Sequence, residues 1–294
     1  MSATLDAPAI DSPLASAEQI AQVRVPTTRR YLMCPPEYFT VEYSINPWMD
    51  PERPVDTRVA VEQWTALKEA YEGLGHKVEL IEPEPGLPDM VFAANSGTVI
   101  NGVVLGSRFR AEQRAAEAEH FRRWFLRNGY RDVVMPTCVN EAEGDFAWTG
   151  SVLLAGTGFR TDPGAHAEAQ EVLGVPFVSL RLVDPRYYHL DTALFVLDDR
   201  SSRPEICYFP EAFSSGSQRV LRHLFPDAVI ATSSDAACLG LNGVSDGHNV
   251  ILPAEATSLG SRLAARGYQP VYVDISELRK SGGGPKCCTM ELRD

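Results

Sequence analysis

The chain has 294 residues, 44% of them apolar and 22% charged, enough for one large domain or two small ones around a sizeable core. Its 39 acidic and 27 basic residues leave a net charge of -12 with no Lys/Arg block, which argues against a nucleic-acid or anionic-membrane surface and favours a small polar substrate. The six cysteines, at 34, 138, 207, 238, 287 and 288, form no CxxC pair and no regular spacing, so neither a zinc site nor a disulfide framework is expected; reduced thiols in a cytoplasmic protein are.

Met1 to Ala21 lacks the basic and apolar regions of a signal peptide, and no apolar run approaches the ~18 residues of a membrane span. The expected organisation is a flexible tail over residues 1–25 and a single domain over 26–294. From Val59 to Leu74, apolar Ala60, Trp64, Leu67, Tyr71 and Leu74 fall on one helical face; Gly75 ends the helix, and Val78 to Ile81 reads as a strand. The order then recurs. A helix from about Glu112 to Asn128 stops at Gly129 before Val133-Val134-Met135, and another stops at Gly174 before Phe177 to Leu180. A fourth ends near Phe225-Pro226 before Ala228-Val229-Ile230, and a fifth at Gly267 before Val271-Tyr272-Val273.

Helix ends therefore recur roughly every 40–55 residues, a period typical of repeated supersecondary units. A step of 15 to 20 residues beyond each helix end lands on Asn95, Asp145, His189, Asn242 and Cys287, all polar or reactive. A doubly wound parallel sheet is the common alternative for such alternation, but no GxGxxG follows the first strand. A ring of five units that delivers these segments to one hub fits better.

Four motifs could carry chemistry. In Ser281-Gly282-Gly283-Gly284-Pro285-Lys286-Cys287-Cys288-Thr289 a cysteine pair follows a triple glycine, as it would where backbone passes close to a ligand; a buried structural pair leading into a strand over 288–292 is the bland alternative. Tyr188-His189-Leu190-Asp191-Thr192 reads as extended chain, which places His189 and Asp191 on one face as a proton-carrying pair. Asn140-Glu141-Ala142-Glu143-Gly144-Asp145 crowds three acids beside an apolar stretch, and such acids attract a cation whose planar N–H fork matches a carboxylate. Arg108 and Arg160 each follow an apolar stretch and could clamp a carboxylate. Acids for a cation and arginines for a carboxylate describe a free amino acid such as arginine.

As a set these residues resemble the guanidino-group modifying (pentein) superfamily of arginine deiminases, dimethylarginine dimethylaminohydrolases, arginine dihydrolases and amidinotransferases. The matching blocks are Met33-Cys34-Pro35-Pro36, Ile45-Asn46-Pro47-Trp48-Met49, Pro88 to Asn95, Glu141 to Asp145, Tyr188 to Thr192 and Gly283 to Cys287, so the resemblance runs over nearly the whole chain. It implies an α/β fold, a five-bladed propeller of ββαβ units with pseudo-fivefold symmetry, and a hydrolase that needs neither metal nor organic cofactor. Carried over by position, Cys287 is the nucleophile, His189 the general acid/base and Glu141 the carboxylate that orients it, with Cys288 and Glu143 as the alternatives for the first and last of these. Arg108 and Arg160 look like carboxylate binders, Asp145 and Asp191 hold guanidino nitrogens or brace the site, and Asn46 and Asn95 line it. Asn95 stands where deiminases and dimethylargininases carry an acid. In this and in Asn46 the chain is most similar to arginine dihydrolases, with dimethylargininase, amidinotransferase and a non-catalytic amino-acid binder as the alternatives. The expected partner is arginine or a methylated arginine, with no nucleic acid or membrane, and the sequence is compatible with a homo-oligomer.

Overall fold

A computed structural model describes residues 24–200 and 204–293. Its elements follow one another in five equivalent sets. β1 (Arg30–Met33), α1 (Thr57–Gly73) and β2 (Lys77–Leu80) open the chain; β3 (Gly97–Ile100), β4 (Val103–Gly106), α2 (Glu117–Arg127) and β5 (Val133–Val134) form the second set. The third is β6 (Phe146–Trp148), β7 (Leu153–Thr157), α3 (Pro163–Leu173) and β8 (Phe177–Arg181); the fourth is β9 (Leu194–Asp198), β10 (Glu205–Tyr208), α4 (Ser215–Leu224) and β11 (Val229–Ile230). A short helix α5 (Ser233–Ala237) leads to β12 (Val244–Ser245), β13 (Asn249–Pro253), α6 (Thr257–Ala264) and β14 (Gln269–Val273), and the chain closes with β15 (Met290–Glu291).

Each set builds a three-stranded sheet in which the middle strand pairs antiparallel with the strand before it and parallel with the strand beyond its helix. The parallel step needs a helical crossover, and the recurring helices supply it. The fold is a five-bladed α/β propeller of ββαβ units, with β3, β6, β9, β12 and β15 as the innermost strands. Closure is non-local: β15 completes the first blade by pairing antiparallel with β1, Tyr31 opposite Glu291 and Leu32 opposite Met290. The two ends of the chain thus share one sheet, immediately after the cysteine pair.

Local chemistry sets the boundaries. Asp56 caps α1 by accepting from the Val59 amide at 3.1 Å, Ala60, Trp64, Leu67 and Tyr71 form its buried face, and Gly75 turns away at φ +85°. Four apolar clusters join neighbouring blades, for example Leu32, Val99, Phe121, Phe125 and Met290 between the first and second. No helix of the described residues is long and apolar enough to cross a membrane.

Several expectations need correction. The helix expected from Glu112 is a 3-10 turn over Glu112–Arg114 followed by α2 from Glu117, because Arg114 turns inward and its guanidinium is fully committed to buried partners. The fifth helix ends at Ala264, before the expected Gly267. The strand expected over 288–292 shrinks to Met290–Glu291, since Cys287 and Cys288 lie in a turn closed by Cys288 N donating to Gly284 O and Thr289 N to Lys286 O. His189 is extended, but Leu190–Thr192 is a 3-10 turn, so pleat alternation does not relate His189 to Asp191. Most of the expected tail, residues 1–23, lies outside the described residues; Arg24 is anchored, its guanidinium 3.6 Å over the Tyr268 ring and paired with Glu205.

Candidate active site at the propeller hub

The turns that precede the innermost strands converge at one end of the hub. They carry Asn95 before β3, Glu141 and Glu143 before β6, His189 and Asp191 before β9, Asn242 before β12 and Cys287 before β15. Equivalent offsets in the five sets become one site because a ring places equivalent positions around one axis.

Cys287 is buried and held on two sides. Its Sγ lies 3.2 Å from Asp191 Oδ2 and accepts from Asn242 Nδ2 at 3.2 Å, while its amide donates to Asn242 Oδ1 at 3.0 Å. Burial, and then the Asp191 charge, raise the thiol pKa well above the ordinary cysteine value. Burial also raises Asp191, against the opposing pull of His189. Both shifts favour the protonated form, and the thiol is oriented to donate to Asp191 Oδ2. The triple glycine lets this loop pass close to the cavity wall: Gly282 has φ +80°, and a Cβ there would sit 3.0 Å from both Asn46 Oδ1 and Tyr188 Oη.

His189 and Glu141 form a second unit, with His189 Nε2 2.7 Å from Glu141 Oε2. Glu141 also receives Arg160 Nη1 at 2.9 Å and the Arg110 amide at 3.1 Å. Burial by itself would raise the Glu141 pKa, but Arg160 and His189 reverse this and hold it well below the usual carboxylate range. Nδ1 of His189 is buried with no partner among the described residues. A ring fixed through Nε2 with a free Nδ1 can carry a proton to and from a reacting group.

The remaining expected residues divide into two groups. Asn46, Asn95 and Arg160 line the cavity that contains Cys287, together with Asp89, Phe92, Arg114, Tyr188 and Ser281. Asp145 does not reach it: its carboxylate accepts from the amides of Leu190 (3.0 Å) and Thr161 (3.2 Å), tying the His189 turn to the segment that carries Arg160. Arg108 is a correction. Its side chain is exposed and donates to the Thr137 carbonyl, because the pairing of Arg108 with Asn140 turns it away from the hub. Glu143, the alternative to Glu141, faces the other way and pairs with Lys286 and Arg293; Cys288 is packed in the apolar cluster of the first blade.

Sequence reading overlooked Asp89 and Arg114. Asp89 accepts from Tyr43 Oη at 2.7 Å and Ser281 Oγ at 3.1 Å. Arg114 donates to both oxygens of Glu117 and, through Nη1 at 2.8 Å, to Asn95 Oδ1. Arg114 and Glu117 sit at the i,i+3 spacing of an ordinary surface pair, which concealed them. Outside the inner cavity, which measures only about 10 Å³, lies an open vestibule of about 500 Å³ that includes Arg110, Gln113 and Phe159. Ile45, Asn46, Arg160 and Tyr188 belong to both and form the partition. Among the described residues no three His, Cys, Asp or Glu side chains gather as a metal site would require.

No protein-family profile matches the chain. It is 53% identical over 269 residues to an N(G),N(G)-dimethylarginine dimethylaminohydrolase of Mycobacterium tuberculosis, covering 92% of this chain and 87% of that one. It is 35% identical over 271 residues to the bifunctional arginine dihydrolase/ornithine cyclodeaminase ArgZ of Synechocystis, covering 90% of this chain and 38% of that longer protein. The crystal structure of the N-terminal domain of ArgZ with product, described as an arginine dihydrolase from cyanobacteria, superposes with a TM-score of 0.85 at 34% identity, covering 91% of this chain and 98% of that one. With its five-bladed ring and a cysteine, histidine and carboxylates gathered at the hub, the chain belongs to the pentein superfamily of guanidino-group modifying enzymes, as a hydrolase of carbon–nitrogen bonds in linear amidines.

Proposed function

We propose that the chain hydrolyses free arginine twice, first to citrulline and ammonia and then, with citrulline retained, to ornithine, carbon dioxide and a second ammonia. The observation that carries this reading is the fixed orientation of Asn95. Arginine side chains only donate, so the bond from Arg114 assigns the accepting atom of Asn95 as Oδ1 and turns Nδ2 to the other side, where no described residue accepts from it. A guanidinium presents only N–H donors and gains nothing from a second donor. A ureido group presents a carbonyl oxygen, and the unpaired N–H of a residue that lines the cavity suits it.

The steps assign each group a role. Cys287, as thiolate, attacks the guanidinium carbon; His189, through Nδ1, protonates the departing ammonia and then takes a proton from the water that hydrolyses the thiouronium. Glu141 orients His189 and stabilises its cationic form. Asp89 lines the inner cavity and is placed to meet the guanidinium, Asp191 holds the Cys287 thiol, and Arg160 with Arg110 is placed to meet the substrate carboxylate from the vestibule side. The inner cavity is too small for a guanidino group, so binding requires the partition of Asn46, Arg160 and Tyr188 to move.

Dimethylarginine hydrolysis to citrulline and dimethylamine is the second reading, favoured by the 53% identical relative of that name. Separate incubations with arginine and asymmetric dimethylarginine, read for ornithine, citrulline, ammonia and dimethylamine, decide between them. The expected result is ornithine and two ammonia per arginine; dimethylamine with no ornithine would replace this proposal with the second reading. Asn95→Asp should halt the reaction at citrulline, and Cys287→Ser should lower turnover by several orders of magnitude. Ornithine formed at an unchanged rate by either variant contradicts the role given to that residue.

A further inference from the structure

On the other side of the Cys287–Asp191 contact lies a second cavity, of about 60 Å³. It runs along β6, β9, β12 and β15, four of the five innermost strands, away from the turns that carry the site. It shares no lining residue with the cavity that contains Cys287. Asp191 lines one and Cys287 the other, so their 3.2 Å hydrogen bond bridges the partition between them. Asp191 is 4% exposed, and its second oxygen, Oδ1, accepts from no described residue. A carboxylate oxygen this deeply buried needs a partner, and although Phe146, Trp148, Leu194 and Leu197 make much of the adjoining wall apolar, charged groups also line it: Lys286 pairs there with Glu143, and Arg29 reaches Asp199 at 2.6 Å and Glu291 at 3.1 Å. Room for one water takes about 10–15 Å³, so this axial cavity can hold several.

We propose that the axial cavity is a water-filled compartment that receives the thiol proton of Cys287 through Asp191. The inference rests on Cys287 being the nucleophile of the proposed reaction. When the substrate cation occupies the inner cavity, the S–H bond breaks and an O–H bond forms on Asp191 Oδ2, leaving the electron pair on sulfur as a thiolate whose charge the guanidinium balances. A turn about the Cβ–Cγ bond exchanges the two oxygens, and the carboxylic acid passes its proton to axial water, which hands it to bulk solvent on the far face. Asp191 is then a carboxylate again. The route solves a problem that the inner cavity poses: substrate fills it, so a proton released there has no solvent to enter. His189 is thereby left free to serve the departing ammonia.

Two measurements test this. In weakly buffered solution with a pH indicator, rapid mixing of the wild-type enzyme with arginine should release about one proton per site before any ammonia appears; no early release overturns the proposal. Ala147→Met and Val244→Phe fill the axial cavity from β6 and β12 without touching the inner one. Each should slow the proton burst at least tenfold with the KM for arginine unchanged, whereas Ala147→Ser, small and polar, should keep the wild-type burst. A wild-type burst rate in a filled variant that unfolds at the normal temperature also overturns it. Cys287→Ser separates the two ideas: if that variant still turns over arginine, the parent reading fails, whereas a dead variant beside an unaffected filled variant defeats only the axial route.

Discussion

At the scale of single residues, the hub sets two opposite electrostatic states side by side. Glu141 is held ionised by Arg160 and His189, while Cys287 is held neutral by burial and by Asp191. A thiol whose pKa lies above the ordinary value of about 8.5 carries little thiolate at neutrality. A cation in the inner cavity reverses this by stabilising the sulfur anion. The consequence is measurable with alkylating reagents of similar size. Relative to free cysteine at pH 7, a cationic haloacetamidine should inactivate the enzyme at least ~10-fold faster than a neutral haloacetamide, a difference of about 1.4 kcal/mol. The ratio should narrow as pH rises through the thiol pKa, because the neutral reagent then finds thiolate without help. Equal relative rates at pH 7 would mean that the thiol is already ionised and that the burial argument is wrong.

At the scale of elements, the repeat order and five helix-to-strand steps were legible because apolar periodicity and glycine stops are local signals. That Cys287, His189 and Glu141 gather at the hub was legible for a different reason, namely that their motifs are short and contiguous. What stayed hidden depends on contacts between blades. Arg108 looked inward from its apolar neighbour, yet a single pairing with Asn140 turns it out, and Arg114 occupies the inner position from a turn that reads as continuous helix. The pairing of β15 was also out of reach, since its partner β1 lies far away in the sequence. That strand carries a prediction. Met290 is fully buried between Leu32, Val99, Phe121 and Phe125 and closes the first blade just beyond the cysteine pair. Met290→Ala should cost about 2–5 kcal/mol in denaturant unfolding, the usual range for such a truncation in a core. Activity should fall more steeply with added denaturant than in the wild type, because β15 anchors the turn that holds Cys287. Superimposable unfolding curves would show that β15 is not the clasp of the ring.

At the scale of the whole molecule, a ring of blades needs a seam where its first and last blades meet, and here buried polar groups hold it. Asp246, between β12 and β13 of the fifth blade, lies 3.4 Å from His76 Nε2, which belongs to the connection from α1 to β2 of the first. His76 Nδ1 accepts from the Arg29 amide at 3.2 Å, and Asp246 accepts from the amides of His248 (2.8 Å) and Asn249 (2.6 Å). Burial opposes ionisation of Asp246, but His76, Asn249 and these amides outweigh it and lower its pKa. A carboxyl whose folded pKa is depressed adds stability that is complete above its unfolded pKa of about 3.9 and is lost as pH falls through the folded value. Asp246→Asn keeps the shape but removes the charge, so it should destabilise the protein by about 1–3 kcal/mol near neutrality. That deficit should stay constant down to about pH 5 and shrink below about pH 4, as the wild-type aspartate protonates and comes to resemble the amide. Denaturant unfolding of both proteins between acid and neutral pH measures the difference directly. A deficit that is the same at every pH would assign the seam to hydrogen-bond geometry alone and remove charge from the account of how the ring stays closed.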